Sequence, residues 1–154
     1  ELLKGNIMSL YNHILVAIDF SESSEHVLEK ALKISQDEST RISLLHVVEY
    51  LPPIDYLNDS LMNINWVAEE QVMLDHAKEK MQQFVKKHNL KNVTQEIELG
   101  VPKLVVAQFV EQHLCDLVVL GSHGRHGFSL LLGSTANAVL HAMPCDVLTI
   151  KIEK

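Results

Sequence analysis

The sequence predicts an α/β protein built on an open, five-stranded, mostly parallel sheet with helices on both faces. Three observations carry this reading. Short, nearly continuous apolar runs at residues 13–19, 41–48 and 116–120 have the character of strands buried on both faces. Stretches of helical periodicity separate the strand-like runs, so β-α-β units repeat, which implies parallel pairing and right-handed crossovers. The fourth strand-like run stops at Gly121 and opens into a glycine-punctuated loop, which puts candidate chemistry at the carboxyl end of a strand.

The first strand, His13-Ile14-Leu15-Val16-Ala17-Ile18-Asp19, runs into Phe20-Ser21. Ser21 is a good N-cap, and Glu22 and Glu25 suit the positive first turn of a helix. Val27, Leu28, Ala31, Leu32 and Ile34 form its apolar stripe, through about residue 36. Residues 41–48 are the second strand. Pro52 and Pro53 then stop the ladder, because proline has no N–H to give it. Residues 49–65 are irregular yet rich in apolar side chains, as expected of a lid, a dimer contact or a flap over the sheet.

The longest helical pattern covers residues 66–88, with Val67, Val72, Leu74, Ala77, Met81, Phe84 and Val85 expected on its buried side. Residues 93–99 alternate apolar and polar, the pattern of a third strand near a sheet edge. Gly100-Val101-Pro102 turns the chain into a further helix, with Leu104, Val105, Val106, Phe109 and Val110 as its apolar side. The fourth strand is residues 116–120. Residues 134–142 form a short helix broken by Met143-Pro144-Cys145, and residues 146–152 are the last strand. A strand at a sheet edge invites pairing with a second copy, so a homodimer through the C-terminal strand is expected.

Composition narrows the function. The chain has 154 residues, of which 47% are hydrophobic and 21% charged, consistent with one ordinary globular domain. Met8-Ser9-Leu10 reads as a natural start, so residues 1–7 are expected to be an expression remnant and residues 8–154 the domain. A formal charge of −7 argues against nucleic acid binding through a basic surface. No apolar run reaches the roughly 20 residues of a membrane span, and no signal peptide is evident. Two cysteines, Cys115 and Cys145, in an acidic, leaderless chain suggest reduced thiols and a cytoplasmic location.

The loop chemistry points to an anion. Gly121, Gly124, Gly127 and Gly133 let backbone N–H groups approach a ligand closely. Ser134 sits where a helix begins, so its N–H, its hydroxyl and the helix dipole all favour a phosphate. Arg125 adds a forked cation. The plainer reading is that these glycines only make turns and Ser134 only caps a helix. Motifs of the P-loop, the dinucleotide fingerprint and the nucleophile elbow are absent. His123 and His126, which His46 and His141 could join, have no carboxylate nearby in sequence to set a tautomer for general-base work.

Taken together, Ile14-Leu15-Val16-Ala17-Ile18-Asp19-Phe20-Ser21, Leu44-Leu45-His46-Val47, Gly121-Ser122-His123-Gly124, Gly133-Ser134 and Met143-Pro144-Cys145-Asp146-Val147-Leu148 resemble the universal stress protein family, over residues 11–152. The Gly121-x-x-Gly124 and Gly133-Ser134 elements resemble its ATP-binding branch. Eight residues separate Gly124 from Gly133, one fewer than the family spacing. The resemblance implies a Rossmann-like fold of the adenine nucleotide alpha hydrolase type and a regulator of the stress response that binds ATP or AMP, with Mg²⁺ accompanying a triphosphate. It further implies that Asp19 meets the ribose, and that Ala17 and the backbone of Val47 meet the adenine. Gly121, Ser122, His123, Gly124, Arg125, Gly133, Ser134 and Thr135 would surround the phosphates. Enzymatic activity is expected to amount at most to weak ATP hydrolysis or autophosphorylation. The alternative is an interaction protein that binds no nucleotide and uses residues 49–65 and its dimer surface, a reading the shorter loop favours.

Overall fold

The computed structural model describes residues 9–35, 39–49, 63–121 and 143–151. The described elements are β1 (His13–Ala17), α1 (Glu22–Ile34), β2 (Arg41–Val48), α2 (Asn63–Lys87), β3 (Val93–Leu99), α3 (Pro102–His113), β4 (Leu117–Gly121) and β5 (Asp146–Ile150). The strands form one sheet in the order β3-β2-β1-β4-β5. Among the described residues every strand pairing is parallel, so this part of the sheet goes beyond the mostly parallel expectation.

The order explains the apolar runs. β1 lies in the middle and β2 and β4 flank it, so all five residues of β1 and of β4 are buried. Alternate side chains feed two cores. Ile14, Val16, Ile18 and Leu44 pack with Val27, Leu28 and Ala31 of α1 and Met81 and Phe84 of α2. Leu15, Ala17 and Leu45 pack on the opposite face with Val106, Phe109 and Val110 of α3. β3 and β5 are the edges, and both alternate or mix polar residues as an edge strand must.

Several boundaries differ from the sequence reading. β1 ends at Ala17, so Ile18 and Asp19 belong to the β1–α1 connection. β4 begins at Leu117, because the Asp116 carboxylate turns back to receive the N–H groups of Asn12 and His13 at 2.7 and 2.9 Å. α2 begins at Asn63, which removes residues 63–65 from the expected irregular segment. Ser21 does occupy the N-cap position of α1, but its hydroxyl makes no cap hydrogen bond and donates to Asp19 instead. Val67 and Val72 are not on the buried side of α2; each is 68% exposed. At about 100° per residue, Val72 lies about 140° round the helix from Ala77 and Val67 about 80°. The stripe that reaches the sheet is Ala77, Met81 and Phe84. Leu104 is likewise exposed, on the side of α3 opposite Val106 and Val110. The expected helix at 134–142, the end of the last strand and most of residues 49–65 lie outside the described residues.

Among the described residues, one backbone position strongly disfavours any residue but glycine. Gly100 joins β3 to α3 with φ at +148°, and a Cβ there would meet Val105 Cγ2 at 2.9 Å. At the other end of α3, Leu114 adopts a left-handed φ of 53°, and the N–H groups of Leu114 and Cys115 both return to the Val110 carbonyl. Among the described residues, no helix is long and apolar enough to cross a membrane.

Candidate functional site

Strand order locates the site. Connections from β1 run outward to β2 and β3 on one side, while β4 and β5 lie on the other. The switch point is therefore between β1 and β4, where an open α/β sheet has a crevice at its carboxyl ends. Ala17 ends β1, Gly121 ends β4, and Val47 is the penultimate residue of β2. The fold thus brings Ala17, Asp19, Val47 and Gly121 to the same end of three adjacent strands. Gly121 is still within the ladder, paired with Ile150 of β5, so the loop begins after it. Ser122, His123, Gly124, Arg125, Gly133, Ser134 and Thr135 lie outside the described residues.

Asp19 is the polar hub of the β1–α1 turn. Its Oδ1 accepts the Ser21 N–H at 3.0 Å, the Ser21 hydroxyl at 2.5 Å and the Ser24 hydroxyl at 2.8 Å. Ser24 Oγ in turn accepts the Asp19 N–H at 3.0 Å. Ser24 is only 2% exposed, so it locks the carboxylate from inside the turn. A carboxylate held before the first turn of α1 also benefits from the N–H groups and dipole of that helix. Asp19 is not itself the cap: Ser21 holds the N-cap position of α1, and the Asp19 carboxylate takes no backbone N–H of that helix in these bonds. Its side chain remains half-buried at the carboxyl end of β1.

Val47 and Ala17 belong to the apolar layer that faces α3. The direction of the Val47 backbone follows from its neighbours. The Leu45 carbonyl faces β1 and accepts the Ile18 N–H at 2.9 Å, while the Val48 carbonyl faces the opposite edge and accepts the Gly100 N–H at 3.0 Å. Backbone groups alternate along a strand, so those of Val47 face the β1 side, beyond the point where β1 has ended. This is where a planar heterocycle could hydrogen-bond to main chain.

The sequence reading missed two members of this end of the sheet. Ser24 looked like an ordinary helix residue. Phe20 adopts a left-handed φ of 60°, unusual for a bulky side chain, and its ring lies tilted against His46 at 4.4 Å and edge-on to Phe84 at 6.2 Å, measured between ring centroids. His123, His126 and His141 lie outside the described residues; His46 Nδ1 lies 2.8 Å from the Ile18 carbonyl. A carbonyl only accepts, so Nδ1 carries the proton. Burial pushes the His46 pKa below the ordinary histidine value, outweighing the Ile18 bond and the nearby Asp19 charge. Among the described residues no group of three or more His, Cys, Asp and Glu could hold a metal ion. The signal for Phe20 and Ser24 existed only in the short connection between a five-residue strand and a helix.

The family model described as the Universal stress protein family matches residues 10–151. Universal stress protein A homolog 2 of Coxiella burnetii is 35% identical, and the match covers 95% of this chain and 99% of that protein. The solved structure of universal stress protein UspA from Lactobacillus plantarum is 28% identical, with a TM-score of 0.62 over 91% of this chain and 97% of that one. An Arabidopsis thaliana universal stress protein family member, solved with AMP bound, shares the fold at 22% identity and a TM-score of 0.58, covering 92% of both chains.

Proposed function

The chain belongs to the universal stress protein family, and from that premise we propose that it is an adenine-nucleotide-binding regulator that takes ATP or AMP at the β1/β4 crevice. The observation that carries the proposal is the placement of the Asp19 carboxylate and the crevice-facing backbone of Val47 at the ends of adjacent strands beside the switch point. Asp19 has the acceptor chemistry for ribose hydroxyls. Val47 offers main-chain groups for the adenine edge, and Ala17 leaves room beside it. Gly121, Ser122, His123, Gly124, Arg125, Gly133, Ser134 and Thr135 supply the glycine-rich, cationic and hydroxyl chemistry that phosphates require. Mg²⁺ would accompany a triphosphate.

The test is a calorimetric titration of ATP with Mg²⁺ into wild type, Asp19→Ala and Gly124→Val/Ser134→Ala. Saturable heat in wild type that both variants lose supports the site. No heat and no thermal shift in wild type would refute it and turn attention to residues 49–65 as a partner surface. Assembly is the second half of the proposal. β5 is an edge strand, and an edge strand pairs readily across a two-fold axis to give a homodimer. A monomer mass by light scattering at working concentration would exclude that assembly.

A further inference from the structure

We propose that His46 is a positioning residue of this nucleotide site, whose Nδ1–H holds the Ile18 carbonyl and so presets the turn that presents Asp19. The inference rests on the nucleotide reading given above.

The turn needs holding. Regular pairing of β1 stops at Ala17, yet Asp19 sits two residues further on. Between them, Ile18 is gripped at both backbone groups. Its N–H goes to the Leu45 carbonyl at 2.9 Å and its carbonyl accepts from His46 Nδ1 at 2.8 Å. In a ladder that continued, the Ile18 carbonyl would face the Val47 N–H. The His46 ring takes this carbonyl from its own position on β2, one residue before Val47. A single side chain therefore acts on both halves of the site.

The next residue, Phe20, pays a conformational cost for its left-handed φ of 60°. Its ring rests on the His46 imidazole at 4.4 Å, so the same side chain that fixes Ile18 also supports Phe20. Asp19 lies between these two anchored residues. Its carboxylate then has one orientation, with Oδ1 committed to Ser21 and Ser24. A preset acceptor binds a ribose without the ordering cost that a loose turn would incur. An apolar ring could fill the same space against Phe20, but it could not hold the carbonyl. The hydrogen bond is what separates positioning from packing.

Isosteric amides provide the test. An asparagine amide can stand where Nδ1 stands, whereas glutamine reaches the Nε2 position. Wild type, His46→Asn and His46→Gln would be compared by two measurements. One is amide hydrogen exchange at Ile18, Asp19 and Ser21 in the nucleotide-free protein. The other is titration with Mg²⁺-ATP. The proposal expects His46→Asn to keep both protection and affinity within about threefold. His46→Gln should exchange faster at these amides and bind about tenfold more weakly, the cost of one lost hydrogen bond. If His46→Gln binds as wild type does, the positioning role is overturned and the nucleotide reading stands. If the two variants weaken equally and in step with a lower melting temperature, His46 is only a packing residue and the proposal is overturned. If wild type takes no ATP while the exchange pattern holds, the nucleotide reading falls and the grip of His46 on the turn stands.

Discussion

Asp116 Oδ1 accepts the backbone N–H of His13 at 2.9 Å, joining residues more than a hundred positions apart at the foot of the central strands. Oδ2 of the same carboxylate takes the Asn12 N–H at 2.7 Å and the Asn12 side-chain amide at 3.2 Å. The Asp116 N–H reaches back to the His13 carbonyl at 3.0 Å. These bonds set the register in which β4 enters beside β1. Burial by itself would raise the Asp116 pKa, but the N–H donors outweigh it and hold the carboxyl below its ordinary value. Replacing Asp116 with alanine orphans several donors at once, so a loss of about 2–3 kcal/mol is expected, read from urea unfolding at neutral pH. Asp116→Asn retains one acceptor and should lose less.

Stability should depend on histidine protonation. His13 is buried, with Nδ1 on the His113 carbonyl at 3.0 Å and Nε2 on the Ser43 hydroxyl at 2.8 Å. Burial is the main reason that the pKa values of both His13 and His46 lie below the ordinary histidine value. The unfolded chain therefore binds protons before the folded one does. Their contribution to stability is complete above the unfolded value of about 6.5 and is lost as pH falls from there towards the depressed folded values. Urea midpoints at pH 8, 7, 6 and 5 should stay level and then drop below about 6.5. A midpoint that rises on acidification would contradict this assignment.

Gly100 should tolerate no side chain. Alanine there combines a φ of +148° with a 2.9 Å approach to Val105 Cγ2, for an expected loss of about 1–3 kcal/mol. Adding Val105→Ala should recover the steric share but not the dihedral share. Complete recovery in the double variant would mean that the backbone conformation costs nothing.

Valines on α2 and a leucine on β1 should respond very unequally to substitution. Leu15 is fully buried in the layer that faces α3, so Leu15→Ala should cost about 3 kcal/mol. Val67→Ser and Val72→Ser should each stay within about 0.5 kcal/mol, because both side chains face outward. Thermal melts of the three variants decide this.

The thiols should be sluggish. Burial pushes Cys115 up to about 12 and Cys145 up to about 11. Little thiolate is present at pH 8, so iodoacetamide should label the native protein at least about tenfold more slowly than the urea-unfolded chain. Labelling of native protein as fast as that of the unfolded chain would show that neither thiol is protected by the fold.

The chain alone determined the fold class, because the physics behind it is local. Apolar continuity in Ile14-Leu15-Val16-Ala17 and in Leu117-Val118-Val119-Leu120 demands burial on both faces, and only the interior of a parallel sheet gives that to strands separated by helices. Polar alternation in residues 93–99 likewise announced an edge, and β3 is one. Asp19 and Val47 were legible as residues at strand ends, and Gly100 as a turn, whereas Ala17 became the end of β1 only in the structure.

What tertiary structure decided is which partners these residues meet. Periodicity cannot tell an apolar residue aimed at a sheet from one aimed past it, so Val67, Val72 and Leu104 looked buried until the placement of the helices exposed them. Nor can sequence show that the Asp116 carboxylate would meet the start of β1, or that the His46 ring would take the Ile18 carbonyl. Those bonds join segments 28 and 103 positions apart. A hydrogen bond requires a donor and an acceptor within about 3 Å, and that distance exists only after the strands have chosen their neighbours.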